Sequence, residues 1–158
     1  MTPTRQQIIE AARSYRNTPF RTAGRNRRGI DCIGVPLCVA RDVSARGWEL
    51  LWRDPDLNAY PRVRGRGIMR AKFTALCEQG LLRRIERNLV EPGDLVLRLG
   101  GFGMGHDYHV CLLSKPDMMI EASNMPEAEF PYGRVVEVTI TPQVRRTFMA
   151  GYQFADVV

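Results

Sequence analysis

Three residues far apart in this chain, Cys32, His109 and Glu121, are of the types that carry nucleophilic acyl transfer: a thiol to attack, an imidazole to move the proton, a carboxylate to orient the imidazole. Cys32 sits in Arg27-Arg28-Gly29-Ile30-Asp31-Cys32-Ile33-Gly34, a basic, glycine-containing turn that delivers a cysteine preceded by an acid. Val35 to Val43 then follows an amphipathic pattern, with Leu37, Ala40 and Val43 on one helical face. Cys32 is therefore expected at or beside a helix N-terminus, where unpaired N–H groups and the macrodipole favour a thiolate. A lone cysteine is more often a buried core thiol, so the case needs the other two residues.

His109 lies in Tyr108-His109-Val110-Cys111-Leu112-Leu113, a strand pattern that puts 109, 111 and 113 on one face. Glu121 ends the next apolar stretch, Met118-Met119-Ile120-Glu121. Adjacent antiparallel strands would set the two side by side, the carboxylate holding one ring nitrogen and turning the other towards Cys32. The plain alternatives are a core or surface histidine and a solvated strand-end acid.

The elements that must position these residues are legible in outline. Thr4 and Gln7 form a capping-box pattern before a helix with Ile8, Ile9, Ala12 and Tyr15 on one face. A loop from Asn17 to Gly29 leads to the cysteine helix. Residues 47 to 67, with Trp48, Trp52, Pro55 and Tyr60, read as an ordered surface loop. Ile68 to Gln79 reads as a third helix with Met69, Phe73 and Leu76 inward and Gly80 as its C-cap. Short strands follow at Leu81 to Ile85, Asp94 to Leu99, Tyr108 to Leu113, Met118 to Glu121, Arg134 to Ile140 and Phe148 to Val157. Helices first and neighbouring strands afterwards predict an α+β fold, with N-terminal helices packed on an antiparallel sheet of five to six strands.

Composition narrows the class. The chain has 158 residues, 44% of them hydrophobic and 25% charged, which predicts one globular domain over 1–158. The net charge of +6 favours an anionic partner. No recognition-helix, zinc-finger or stacked-aromatic pattern points to nucleic acid. The four cysteines, Cys32, Cys38, Cys77 and Cys111, form no C-x-x-C pair, and three sit in apolar periodic stretches as core thiols. No run approaches the length of a membrane span. The first residues lack the apolar core of a signal peptide. His106-Asp107-Tyr108-His109 is not a metal motif, and Gly100 to Gly105 lacks the context of a phosphate loop; a mobile loop at the edge of the site is the expectation there. Arg25, Arg27 and Arg28 read as a solvated turn, the sharper alternative being contact with carboxylates of a substrate.

At this point the residues resemble the NlpC-type cysteine peptidases of bacterial cell walls, a papain-like α+β family. Tyr15-x-x-Thr18-Pro19-Phe20 followed by Gly24 resembles the family's Tyr-x-Gly-x-Pro-Tyr-x-x-Gly-Gly lead-in. Gly29-Ile30-Asp31-Cys32-x-Gly34 resembles its Asp-Cys-Ser-Gly nucleophile motif, and Glu91-Pro92-Gly93-Asp94-Leu95-Val96 its Pro-Gly-Asp-Leu strand. His109-Val110 and Ile120-Glu121-Ala122 resemble its histidine strand and polar third residue. The match runs from about residue 5 to residue 123. Tyr132-Gly133-Arg134-Val135 and Gly151-Tyr152-Gln153-Phe154 further resemble members encoded in phage tail gene clusters.

The resemblance implies a peptidoglycan stem-peptide endopeptidase that cuts typically after D-glutamate and needs no cofactor or metal. Cys32, His109 and Glu121 are its expected catalytic residues, and Tyr15, Phe20, Asp31 and Arg28 its expected substrate contacts. Expected partners are stem peptides and phage tail-tip or hub proteins, with the enzyme carried to the periplasmic wall in a virion. There are departures. Ile33 replaces a serine, Phe20 replaces a tyrosine thought to support the oxyanion, and Glu121 replaces the commoner histidine. The rival expectations are a structural tail-tip component with little activity, and an acyltransferase or amidase on another substrate.

Overall fold

The structure, a computed structural model, describes residues 2–59, 68–100 and 108–158. All but the first residue of the loop expected over Gly100 to Gly105, and the end of the one expected over 47–67, lie outside these. Helix α1 (Arg5–Arg13) begins at Thr4, whose side chain accepts from the Gln7 N–H while the Gln7 side chain accepts from the Thr4 N–H, the reciprocal cap its sequence predicts. It buries Ile8, Ile9 and Ala12.

A two-stranded ribbon, β1 (Arg25–Asn26) and β2 (Gly29–Ile30), interrupts the loop expected before the cysteine. Helix α2 (Gly34–Asp42) follows, with every residue from Gly34 to Ala40 buried. It is a central helix, not a surface one.

The irregular loop expected after residue 47 is corrected by two short helices, α3 (Trp48–Arg53) and α4 (Pro55–Ala59). Asp54 ends the first and starts the second, accepting from the Leu57 N–H at 3.0 Å, and Pro55 takes the first helical position, where a missing N–H costs nothing. Leu51 and Leu57, one from each helix, are the residues that go inward. Helix α5 (Ile68–Glu78) buries Met69, Phe73 and Leu76 as its spacing predicts, and Gly80 follows at φ +69°.

The remaining strands are β3 (Leu82–Ile85), β4 (Leu95–Leu99), β5 (Tyr108–Lys115), β6 (Met118–Ser123), β7 (Arg134–Thr139) and β8 (Phe148–Phe154). They form one antiparallel six-stranded sheet in the order β3-β8-β4-β5-β6-β7, so the α+β architecture matches the expectation. A short helix not foreseen, α6 (Pro142–Arg146), precedes β8, capped by Thr141.

The main core lies between the helices and one face of the sheet, where Ile8, Ile33, Val39, Leu95, Leu112, Ile120 and Tyr152 are buried. A smaller cluster of Val96, Cys111, Leu113, Met119, Ile140 and Phe148 occupies another part of the sheet. Alternation along β5 divides Val110 and Leu112 from Cys111 and Leu113 between these clusters. The Pro-Gly-Asp segment has a structural task. Asp94 is fully buried, accepts from the Glu91 N–H at 2.8 Å and pairs with Arg5 at 2.7 Å, tying α1 to the start of β4.

Candidate active site

Cys32 stands in the turn just ahead of α2, one residue before its Ile33 cap, and Asp31 is the reason the chain turns there. One carboxylate oxygen of Asp31 accepts from the N–H groups of Ile33 (3.1 Å) and Gly34 (2.7 Å), which are two of the donors a helix start leaves unpaired. The Val35 N–H donates to the Asp31 carbonyl at 3.2 Å. The other carboxylate oxygen accepts from the Ala23 N–H at 2.7 Å, and Arg25 completes the set at 2.7 Å. Asp31, expected as a substrate contact, is buried and caps the helix start. Among the described residues the Cys32 N–H has no acceptor, which leaves it available to a ligand.

Gly34 is required by packing. A Cβ there would collide with the carbonyl oxygen of Gly24, so the helix start lies directly against the ribbon.

The arginines before the cysteine separate. Arg25 is not the solvated residue its surroundings suggest: besides Asp31 it donates to the Leu57 carbonyl at 2.9 Å, joining α4 to the nucleophile turn. Arg27 lies over the Tyr15 ring, 4.5 Å from its centroid. Arg28 is exposed, and its N–H donates to the Asn26 side chain at 2.8 Å.

Tyr15, also expected as a substrate contact, is buried, and its hydroxyl donates to Asp42 at 2.6 Å and accepts from Arg41 at 3.0 Å, so it braces α1 against α2. Phe20 is half-buried; its N–H donates to the Gly133 carbonyl at 2.8 Å and it bridges Ile30.

His109 and Glu121 do come together. His109 Nε2 lies 3.0 Å from Glu121 Oε2, with both side chains mostly out of solvent. Cys32 is the second group that acts on the ring. Burial works against the imidazolium, but the hydrogen bonds and charges of Cys32 and Glu121 overcome it and raise the ring pKa to about 9. Burial also opposes the Glu121 carboxylate, yet His109 and then Arg98 draw its pKa down to about 2. Burial pushes the thiols of Cys38, Cys77 and Cys111 up, which marks these three as inert core or near-core groups.

Arg98 was not among the residues the sequence suggested. It faces His109 across β4 and β5 and donates to Glu121 Oε2 at 2.7 Å. The available signal was an arginine inside the apolar strand Leu95-Val96-Leu97-Arg98-Leu99, a position that demands a buried acid. Among the described residues no group of histidine, cysteine and acid side chains could hold a metal ion.

No protein-family model and no curated protein sequence matches the chain. Solved structures do. An NlpC/P60 family protein from Bacillus cereus aligns with a TM-score of 0.61 and 17% identity over 98% of this chain and 41% of its own. The NlpC/p60 domain of the peptidoglycan hydrolase SagA gives 0.54 and 20% identity over 94% of this chain and 97% of its own. The P60 domain of an antigen from M. avium subspecies paratuberculosis gives 0.51 and 15% identity over 96% and 94%. The chain thus spans less than half of the Bacillus cereus protein and nearly all of the other two domains. Its fold is that of NlpC/P60 domains. Within that fold, a thiol at a helix start faces an imidazole backed by a carboxylate.

Proposed function

We propose that this chain is a cysteine peptidase acting on peptidoglycan stem peptides. The observation that carries the proposal is the Cys32–His109–Glu121 arrangement, with Glu121 3.0 Å from one ring nitrogen and Cys32 acting on the same ring. The NlpC/P60 fold, and the peptidoglycan hydrolase named among its structural neighbours, support the substrate class.

In this reading Cys32 Sγ attacks the scissile carbonyl while its proton resides on His109. The tetrahedral oxyanion is met by the Cys32 N–H. Collapse expels the amine, which takes the proton from His109, and leaves a thioester on Cys32. Water, deprotonated by His109, then attacks the thioester and frees the acid and the thiol. Glu121 holds the ring throughout and stabilises its charged form. No cofactor takes part. The finer assignment is cleavage after D-glutamate by an enzyme carried in a phage tail tip, which the Tyr132–Val135 and Gly151–Phe154 segments support by resemblance alone.

The test is digestion of purified peptidoglycan by the wild type and by Cys32→Ala, with fragments resolved by mass spectrometry. New fragments from the wild type alone establish the activity and identify the bond. A folded wild type that releases none overturns it. One observation favours a second reading, a structural component that keeps the fold. Phe20 brings no hydroxyl and Ile33 is buried and apolar, so a tetrahedral oxyanion is left to backbone donors.

A further inference from the structure

The carboxylate that backs His109 is shared. Glu121 Oε2 lies 3.0 Å from His109 Nε2 and accepts from Arg98 Nη2 at 2.7 Å, so one oxygen atom faces cationic groups from two different strands. Arg98 is directly opposite His109 in the β4–β5 register, and its side chain is only 12% exposed. Its Nε is buried without a partner among the described residues. An arginine placed there at the cost of an unsatisfied donor calls for more than solubility as its reason. We propose that Arg98 is a positioning residue of the site, one that fixes the Glu121 carboxylate and limits how strongly it holds the proton on His109.

The argument follows from the charges. A buried thiolate, imidazolium and carboxylate alone sum to one negative charge; Arg98 brings the cluster to neutrality. A carboxylate with the imidazole as its sole partner would bind the ring proton tightly, and a ring that will not release its proton is a poor acid towards the leaving amine. Arg98 occupies the same oxygen and acts on His109 both directly and through Glu121, in the same direction. Among the described residues the other titratable group acting on the ring is Cys32, just ahead of α2; Asp31 is turned away into the cap and the Arg25 pair.

The kinetic part of this proposal rests on the peptidase reading; the titration part does not. The decisive measurement is therefore the NMR titration of the His109 ring in the Cys32→Ala protein, where no thiol titrates with it. The chain has two histidines, and His106→Gln assigns the other signal. Arg98→Met is expected to move the His109 midpoint up by about one pH unit or more, and Arg98→Lys to return most of that shift. If Arg98→Met does not fold, Arg98→Gln carries the same expectation, since it keeps a donor and loses the charge. A midpoint that stays put in the folded neutral variants, or moves equally in Arg98→Lys, overturns the proposal. In the protein with Cys32 intact, the alkaline limb of kcat/KM on peptidoglycan should move up with the midpoint while kcat falls about tenfold or more. A midpoint shift in a protein that never cleaves peptidoglycan sinks the enzyme reading and leaves the role of Arg98 standing. Cleavage without a shift does the reverse.

Discussion

Arg25 and Asp31 meet at 2.7 Å with almost no solvent on either, their side chains 11% and 4% exposed. The pair is what sets Cys32 on its turn, since the same Asp31 oxygen that takes the guanidinium also takes the Gly34 N–H.

Asp31→Ala should therefore cost about 3–5 kcal/mol of unfolding free energy, because it leaves a buried guanidinium without its counter-charge and three backbone donors without a partner. Asp31→Asn retains an acceptor for the cap and should cost less. Urea denaturation of the three proteins decides the point. Equal losses for the two variants would mean that the ion pair, not the cap, carries the whole effect.

The pH dependence of stability should expose the His109–Glu121 pair. A ring whose pKa is raised from 6.5 to about 9 stabilises the fold fully below pH 6.5 and loses that contribution as pH rises through about 9. Glu121, lowered from 4.5 to about 2, contributes fully above pH 4.5 and loses its share as pH falls towards 2. The wild type should thus exceed His109→Gln most at acid to neutral pH, by on the order of 1–3 kcal/mol, and converge with it in alkali. Denaturation midpoints from pH 5 to pH 10 give the comparison. A gap that widens with pH would contradict the assignment.

Phe20→Tyr tests the missing hydroxyl. The side chain is half-buried and held by its backbone, so the change should alter stability by less than about 1 kcal/mol. If the hydroxyl reaches the oxyanion as the family resemblance implies, kcat should rise about tenfold or more with little change in KM. An unchanged kcat would show that the backbone donors suffice without it.

Gly34→Ala should be harmful although alanine suits helices, because its Cβ would run into the carbonyl oxygen of Gly24. A backbone oxygen cannot swing aside as a side chain can. A loss of about 1–3 kcal/mol in urea denaturation is expected, together with a slower reaction of Cys32 with an alkylating reagent. Gly80→Ala is a useful contrast: space is open there, and any cost comes from φ +69° alone.

What could be read from the sequence was whatever is encoded locally. The Thr4–Gln7 cap, the α5 face of Met69, Phe73 and Leu76, and the alternation in β5 all depend on neighbours within a turn or a strand. Cys32, His109 and Glu121 were legible as types, and their meeting followed from guessing that β5 and β6 pair. Arg98 was not, because its meaning depends on the register between β4 and β5, which no local pattern records. The structural tasks of Asp31 and Tyr15 were not legible either: the first caps a helix and the second bonds Asp42 inside the core, through partners distant in sequence or set by the fold. Trp48, Trp52 and Pro55 suggested a loop because each helix there is too short to display a full apolar period.

The strand order has a consequence for assembly in time. β8 is the last strand along the chain but lies between β3 and β4, so it bonds two neighbours made some fifty or more residues earlier. Until it arrives, β3 has no partner in the sheet and β4 has an open edge, which is an invitation to pair with another chain. A peptide released before Phe148 would hold Cys32, His109 and Glu121 and still lack the strand that seats β4, the carrier of Arg98. Contacts of such long sequence separation form slowly. Synthesis of β8 is therefore the event that closes the sheet.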